Sequence, residues 1–362
     1  MEIAIIGAGP VGSYAGYLLA KTGHKVSIYE KKSTIGLPIQ CTGLLTADFE
    51  QFNLPLEPFL VNTFSKLEIN SPKGHKQELK QKEYLVCRKK FDQYLASLAA
   101  SAGAKIYLNH AFLRKEGQQM VIKDSKKGKE VLVKPDLIIA ADGPLSETAK
   151  AFGLYHPLRK NYLGIQAVVE GTFEQEKYYT YFGEHTCPGM WAWVVPESST
   201  RARVGLFSLK EPRNYFNRWL KINHFKLIEM QAGLVPQYHP QQKVKKGNCY
   251  LLGDAAGFVK ASTLGGIIPG MKQAEILVDC LNHGKTYEKE LRPLVRKLKL
   301  HLTVRKILTK FSDQDWDRLI AYVAQPKVQA VFEKYTRENP VPLLIWALLK
   351  EPRFLYFGKY LI

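Results

Sequence analysis

Gly7-Ala8-Gly9-Pro10-Val11-Gly12, directly after the apolar run Ile3–Ile6 and followed by Glu30, is the stretch that decides how this chain folds. Strand, glycine turn, helix, a second strand (Lys25-Val26-Ser27-Ile28-Tyr29) and a closing acid form the order of a dinucleotide-binding βαβ unit. Gly7 allows the tight turn out of the strand, and Gly9 lets the backbone approach a pyrophosphate. Gly12 lets the helix pack closely on the sheet while its first N–H groups face the phosphates. Glu30 ends the second strand, where its carboxylate can accept from ribose hydroxyls.

Composition narrows the surroundings. A chain of 362 residues, 46% hydrophobic and 23% charged, has an ordinary globular balance and room for one to three domains. The formal charge of +19 is unusual. It favours anionic partners, whether nucleic acid, a phospholipid surface or a phosphorylated substrate, unless it is only a solvated basic surface. No glycine-arginine tract, zinc-ligand cluster or helix-turn-helix signature is present, so no nucleic acid and no metal are expected. The five cysteines (Cys41, Cys87, Cys187, Cys249, Cys280) are scattered without a CxxC, as suits reduced thiols in a cytoplasm. The amino terminus enters its first strand at once and does not read as a signal peptide. The longest apolar stretch, Val341–Leu349, is far short of the roughly 20 residues that cross a bilayer. A cytoplasmic protein, soluble or peripheral to the inner face of the membrane, is expected.

Farther along, residues 31–45 read as a loop, and residues 54–82 as a hairpin turning at Ser71-Pro72-Lys73-Gly74. Phe91–Ala100 is helix-periodic, 105–108 is a short strand, and a further hairpin is expected near Gly117 and residues 126–129. Asp136–Ala141 is a buried parallel strand that runs into Asp142-Gly143. Between Asn161 and Leu209, aromatic and β-branched residues alternate in short runs, which implies an antiparallel sheet. Asn248–Gly253 returns to buried strand, Asp254–Leu281 to helix, and the chain from Thr286 onward reads as helices.

The second decisive motif is Tyr250-Leu251-Leu252-Gly253-Asp254-Ala255-Ala256-Gly257. An acid at a strand end can hold ribityl hydroxyls, and small residues admit a pyrophosphate. Gly265-Gly266-Ile267 opens another helix, whose N–H groups can neutralise charge at the N1/O2 edge of a reduced flavin. Paired with Gly7–Gly12 and Glu30, this remote turn shifts the expected dinucleotide from NAD to FAD. Arg88, at a strand-to-helix junction before Phe91-Asp92, is placed to meet a phosphate or the adenosine moiety.

These motifs together resemble the FAD enzymes that include para-hydroxybenzoate-hydroxylase-like monooxygenases and geranylgeranyl reductases. Within that group, Pro38-Ile39-Gln40-Cys41-Thr42-Gly43, Trp191-Ala192-Trp193-Val194-Val195-Pro196 and the tail with Asn339-Pro340 and Glu351-Pro352 resemble archaeal-type geranylgeranyl reductases. Departures occur at Trp191, Val195, Gly205-Leu206-Phe207, Ala261 and Leu264. The fold implied is α/β. A Rossmann-like FAD domain (1–60, 83–160, 245–285) is interrupted by an antiparallel β-rich substrate domain (61–82, 161–244), and a helical region (286–362) follows. The resemblance also implies that Lys31, Cys41, Thr42, Gly43 and Ala111 join the FAD-binding positions.

The implied reaction is reduction of isolated double bonds in geranylgeranyl chains on an archaeal-type ether lipid or related prenyl compound. An unactivated alkene accepts hydride only as protonation develops cation character. Trp191 and Trp193 either offer aromatic faces to that charge, at about 0.5–2 kcal/mol each, or pack the sheet, or do both. Cys41 is the implied catalytic residue, as proton relay or as gate. Lacking a second GxGxxG, the chain takes electrons from transient NAD(P)H or a ferredoxin. The tail, with Lys285, Lys289, Arg292, Arg296, Lys297, Lys299, Arg305, Lys306 and Lys310, then Trp346, Phe354, Tyr356, Phe357 and Tyr360 among Lys350, Arg353 and Lys359, suits either an anionic membrane interface or a solvated helical cap. Two other functions fit the same motifs: an FAD monooxygenase acting on an aromatic or quinone substrate, and a flavin-bound protein that only binds membranes or nucleic acid.

Overall fold

The computed structural model describes residues 1–117 and 119–361. In chain order the elements begin with β1 (Glu2–Ile6), α1 (Pro10–Lys21), β2 (Lys25–Glu30), β3 (Leu44–Thr46), β4 (Leu60–Asn70), β5 (Lys76–Val86) and α2 (Arg88–Ser101). There follow β6 (Lys105–Leu108), β7 (His110–Glu116), β8 (Gln119–Asp124), β9 (Lys129–Val133), β10 (Leu137–Ala140), α3 (Glu147–Ala151) and β11 (Asn161–Glu170). Next come β12 (Lys177–Tyr181), β13 (Ala192–Pro196), β14 (Arg201–Phe207), α4 (Pro212–Ile222), β15 (Lys226–Pro236), β16 (Lys245–Lys246), β17 (Cys249–Leu251) and α5 (Ile267–His283). The tail holds α6 (Tyr287–Glu290), α7 (Arg292–Leu308), α8 (Asp313–Val323), α9 (Pro326–Lys334) and α10 (Pro340–Lys350), then a 3-10 stretch, Pro352–Leu361.

The chain divides into two compact units, each assembled from three separated segments. The first comprises residues 1–38, 88–161 and 235–299. Its sheet has the order β16-β17-β10-β1-β2-β6, and β17, β10, β1, β2 and β6 are all parallel. Parallel strands covered on both faces need continuous apolar runs, and Ile3–Ile6 and Leu137–Ala140 are buried throughout. A β7-β8-β9 meander belongs to the same unit.

The second unit comprises residues 39–87, 162–234 and 300–362. It carries the sheet β15-β11-β14-β13-β12-β4-β5-β3, in which β12 runs parallel to β4 and the other registered pairs are antiparallel. Alternation gives this sheet two unlike faces. Ile165, Ala167, Val169, Val194, Ala202, Val204 and Leu206 point one way and form a core with Phe216 and Trp219 of α4. The opposite phase carries Gln166, Trp193, Arg203 and Gly205, matched in register as Gln166↔Gly205 and Trp193↔Gly205.

Helices beyond residue 300 are fastened to this unit by polar locks. Arg337 grips both oxygens of Glu83, with Nη2 at 2.7 Å from Oε2, while the Tyr178 hydroxyl donates to Glu83 Oε1 at 2.7 Å. Burial, reinforced by the Glu83 carboxylate, keeps the Tyr178 phenol protonated far into the alkaline range. Removing one partner of such a pair strands a buried charge. Arg337→Met is expected to lower unfolding stability by about 3–5 kcal/mol in urea titration, with Glu83→Leu/Arg337→Met recovering a large part of the loss.

Candidate functional site

In the first unit the chain leaves β1 at Gly7 with φ +102°, and a Cβ there would lie 2.4 Å from the Ala141 carbonyl oxygen. A Cβ on Gly12 would lie 2.1 Å from the Gly7 carbonyl oxygen, so α1 starts as close to the turn as backbone allows. Gly9 differs, because among the described residues nothing beyond its chain neighbours lies within 4 Å of its Cβ position. The turn is filled behind and open above, beside the first amide groups of α1, where phosphate is favoured. Pro10 is the first residue of that helix.

Glu30 closes β2 and is buried. Its Oε2 accepts the Ala8 N–H at 2.8 Å and its Oε1 the Lys32 N–H at 3.0 Å. Each oxygen retains acceptor capacity for a ribose hydroxyl. The Asn109 N–H donates to the Lys32 carbonyl at 3.1 Å, which brings the segment containing Ala111, on β7, beside the end of β2. Lys31 is exposed, whereas burial draws the Lys32 ammonium below its usual range.

Arg88, the first residue of α2, is held by Asp92 through two hydrogen bonds of 3.0 Å, from Nε and Nη2. Burial pushes the Asp92 carboxyl up, and Arg88 draws it back. Asp254 is raised by burial too, opposed by the charges of Arg88 and Arg159. Arg88, expected to meet a phosphate or the adenosine moiety, is thus a guanidinium fixed in place by Asp92.

Val11 joins the two motifs. Its Cγ2 lies 3.0 Å from the Cβ position of Gly253 and 2.5 Å from that of Gly270, so both glycines are shaped around one valine. The expected continuous helix over 254–281 is not formed. Gly253–Ala256 is a 3-10 turn, the chain reverses through Gly257 (φ +66°) and a Lys260–Gly265 bridge, and α5 begins only at Ile267. Within this loop Asp254 Oδ1 stands 2.9 Å from the Cβ position of Gly266, and Lys260 Nζ 3.3 Å from that of Gly265. The Thr263 hydroxyl is buried there with no hydrogen-bond partner among the described residues.

Asp142 serves its own turn. It accepts from the Ser146 hydroxyl and from the Thr148 N–H at 3.1 Å, fixing the start of α3. Gly143 beside it has φ +87° and open space at its Cβ position. An open cradle at Gly9, a second opening at Gly143, an unsatisfied buried hydroxyl at Thr263 and the amide-rich start of α5 fit a flavin dinucleotide.

The second unit holds the remaining expected positions. Cys41 is half-buried, and its Sγ accepts the Gly43 N–H at 3.4 Å. Thr42 donates its hydroxyl to Gln166 Oε1 at 2.8 Å, and Gln166 donates to Gln231 Oε1 at 2.5 Å. Arg203 donates to the carbonyls of Thr42 and Val86, the latter at 2.9 Å, while Glu197 accepts its Nε–H at 2.7 Å. The Gln40 carbonyl oxygen lies 2.5 Å from the Cβ position of Gly233, so the Cys41 turn is seated on the polar face of the sheet.

Trp193 lies across Gly205, whose Cβ position is 2.3 Å from the indole Cζ2. Its Nε1 is buried without a hydrogen-bond partner among the described residues. Trp191 is differently engaged. The Arg305 guanidinium stands 5.0 Å from its ring centroid, and burial pulls Arg305 down to about 10. That aromatic face therefore already serves a cation, and Arg305 departs from the solvent-facing basic run expected of the tail.

Gln166, Arg203, Gln231 and Lys260 were not singled out from sequence. Their signal was polarity in the wrong phase. The first three occupy the alternate positions of strands whose other phase is apolar, and all four are buried.

The sequence matches the family described as FAD binding domain over residues 59–281 and that described as NAD(P)-binding Rossmann-like domain over residues 5–66. It is similar to digeranylgeranylglycerophospholipid reductase of Methanocaldococcus jannaschii, at 29% identity over 100% of this chain and 98% of that protein. It is also similar to digeranylgeranylglycerophospholipid reductase 2 of Methanothermobacter thermautotrophicus, at 30% identity over 88% and 90%. Among solved structures, a geranylgeranyl bacteriochlorophyll reductase-like protein from Thermoplasma acidophilum superposes with TM-score 0.82 at 23% identity, covering 100% of this chain and 99% of that one. The flavin-dependent brominase Bmp2 shares the fold at TM-score 0.71 and 14% identity, over 99% of both chains.

Proposed function

The chain belongs to the digeranylgeranylglycerophospholipid reductase family of FAD-binding-domain proteins, and on that basis we propose that it saturates the isolated double bonds of geranylgeranyl chains on archaeal-type isoprenoid ether lipids. The observation that carries this reading is the similarity to reductases of that name along nearly the whole of both chains, joined to a dinucleotide cradle with a remote Gly-Asp turn packed on it.

When bound, FAD supplies the hydride chemistry. Gly7, Gly9, Pro10, Val11 and Gly12 hold the pyrophosphate with the first amides of α1, and Glu30 takes the ribose hydroxyls. Lys31, Arg88 and Ala111 serve the adenosine end, and Asp142, Gly143, Gly253 and Asp254 the ribityl and pyrophosphate end. Gly265, Gly266 and Ile267 present α5 amides to the charge that gathers on reduction. The alkene gains one hydride and one proton. Cys41, with Thr42 and Gly43, is the thiol assigned to hold or pass the proton, and Trp193 offers an aromatic wall. Electrons arrive from NAD(P)H or a ferredoxin. The enzyme works at an anionic membrane surface, where its prenyl substrate resides.

Anaerobic incubation of the dithionite-reduced holoenzyme with digeranylgeranylglycerophospholipid is expected to raise lipid mass by two hydrogens per bond reduced while the flavin reoxidises. An absolute requirement for oxygen, with an oxygenated product, would overturn the assignment in favour of a monooxygenase.

A further inference from the structure

Helix α10 is apolar on every side as far as Leu349, the solvent side included. At 100° per residue, Val341, Ile345, Leu348 and Leu349 fall on one stripe, with Trp346 at its margin. All five are exposed, Ile345 by 52% and Leu349 by 65%, whereas Ala347 and Pro340 on the other side are buried. Solvent therefore meets the apolar face. Leu355 and Leu361 of the following 3-10 stretch are exposed too, at 68% and 58%.

Of the aromatics expected to face outward from this tail, Trp346 and Tyr356 are exposed, Phe354 and Tyr360 are half-buried, and one is turned inward. Phe357 is buried and packs on Phe311 with ring centroids 4.7 Å apart, and the Tyr360 hydroxyl donates to Asp315 at 2.6 Å.

Charge selects the occupant of this face. Residues 340–361 contain one acid, Glu351, which is buried and neutralised by two hydrogen bonds of 2.7 Å from Arg353. Lys350 and Lys359 are exposed on the same segment, Lys359 Nζ standing 3.6 Å from Asp315 Oδ1, on a chain of formal charge +19. Like-charged surfaces oppose self-association, and a negatively charged lipid surface meets both features. Eleven residues reach about 16 Å, too little to span a bilayer but suited to lying in its interface.

We infer that the outer face of α10, with Leu355 and Leu361, is a docking surface that inserts among the acyl chains of an anionic bilayer, drawn to its phosphates by Lys350 and the net basic charge of the chain. The inference rests on the lipid-reductase reading for its purpose but not for its test.

Flavin-loaded full-length protein is mixed with vesicles of phosphatidylglycerol and phosphatidylcholine in equal parts, or of phosphatidylcholine alone. Binding to the anionic vesicles is expected to be at least tenfold tighter, with Trp346 quenched by lipids brominated near the headgroup. The quenching should disappear in Trp346→Phe. Ile345→Asp/Leu349→Asp should lose at least tenfold in vesicle affinity while keeping the flavin spectrum, the melting temperature and turnover of detergent-dispersed substrate. Unchanged vesicle affinity in that variant, or a concentration-dependent dimer that the variant abolishes, would overturn the inference. Vesicle binding without lipid reduction would leave it standing and count against the reductase reading alone.

Discussion

Alanine at Gly12 is expected to yield colourless protein whose affinity for FAD has fallen at least 100-fold. The added Cβ would sit 2.1 Å from the Gly7 carbonyl oxygen and 3.1 Å from the Ala141 Cβ, and the nearer atom is backbone with no rotamer to escape into. Relief requires α1 to withdraw from the turn, which carries away the amides that meet the phosphates. A 100-fold loss is about 2.8 kcal/mol, a reasonable cost for displacing several charge-assisted contacts. Gly9→Ala separates binding from folding. Its Cβ meets no atom of the described residues beyond its chain neighbours within 4 Å, so the apoprotein should melt as the wild type does. The same methyl group enters the open side of the cradle, so FAD affinity should still drop about tenfold or more, by about 1.4 kcal/mol. Isothermal titration of apoprotein with FAD, beside melting curves of both variants, provides the check. Wild-type affinity in Gly9→Ala would show that the pyrophosphate lies elsewhere.

The nucleotide-binding half was legible because its instructions are local. Ile3–Ile6, the glycine turn and Glu30 lie within one βαβ unit, and the structure shows those residues parallel, turned and capped as their chemistry requires. The Gly253 region was half legible. The turn itself was read correctly, but the small and apolar residues after it suggest helix, and nothing local announces the bridge between Lys260 and Gly265 or the left-handed Leu264 (φ 54°). Tertiary context decides that loop, since the Val11 against which Gly253 and Gly270 pack comes from α1, far away in sequence. The polar face of the second sheet was illegible for the same reason. Gln166, Arg203 and Gln231 each look incidental in their own strands, and only register brings them under one turn.

That turn gives the other large expectation. Arg203→Met is expected to raise the rate of alkylation of Cys41 by N-ethylmaleimide about 30-fold or more in otherwise native protein. Arg203 satisfies the carbonyls of Thr42 and Val86 from one buried guanidinium, and methionine donates to neither. Stranding a buried acceptor costs about 1–3 kcal/mol, and two of them together favour opening of the Cys41 turn over unfolding of the sheet beneath it. At about 1.4 kcal/mol per tenfold, 2 kcal/mol already multiplies the open population roughly 27-fold. Arg203→Lys keeps a cationic donor group but not the fixed fork of the guanidinium, and should recover part of the protection. Gln166→Leu removes only the Thr42 hydroxyl contact and should produce a smaller rise. Mass spectrometry of modified peptides separates Cys41 from Cys187, whose complete burial makes it the internal reference. If Arg203 acts by positioning Cys41, the alkylation rate and the pH profile of turnover change together while FAD affinity stays put. A variant that alkylates Cys41 at the wild-type rate, yet melts lower, would reduce Arg203 to a stabiliser of the sheet.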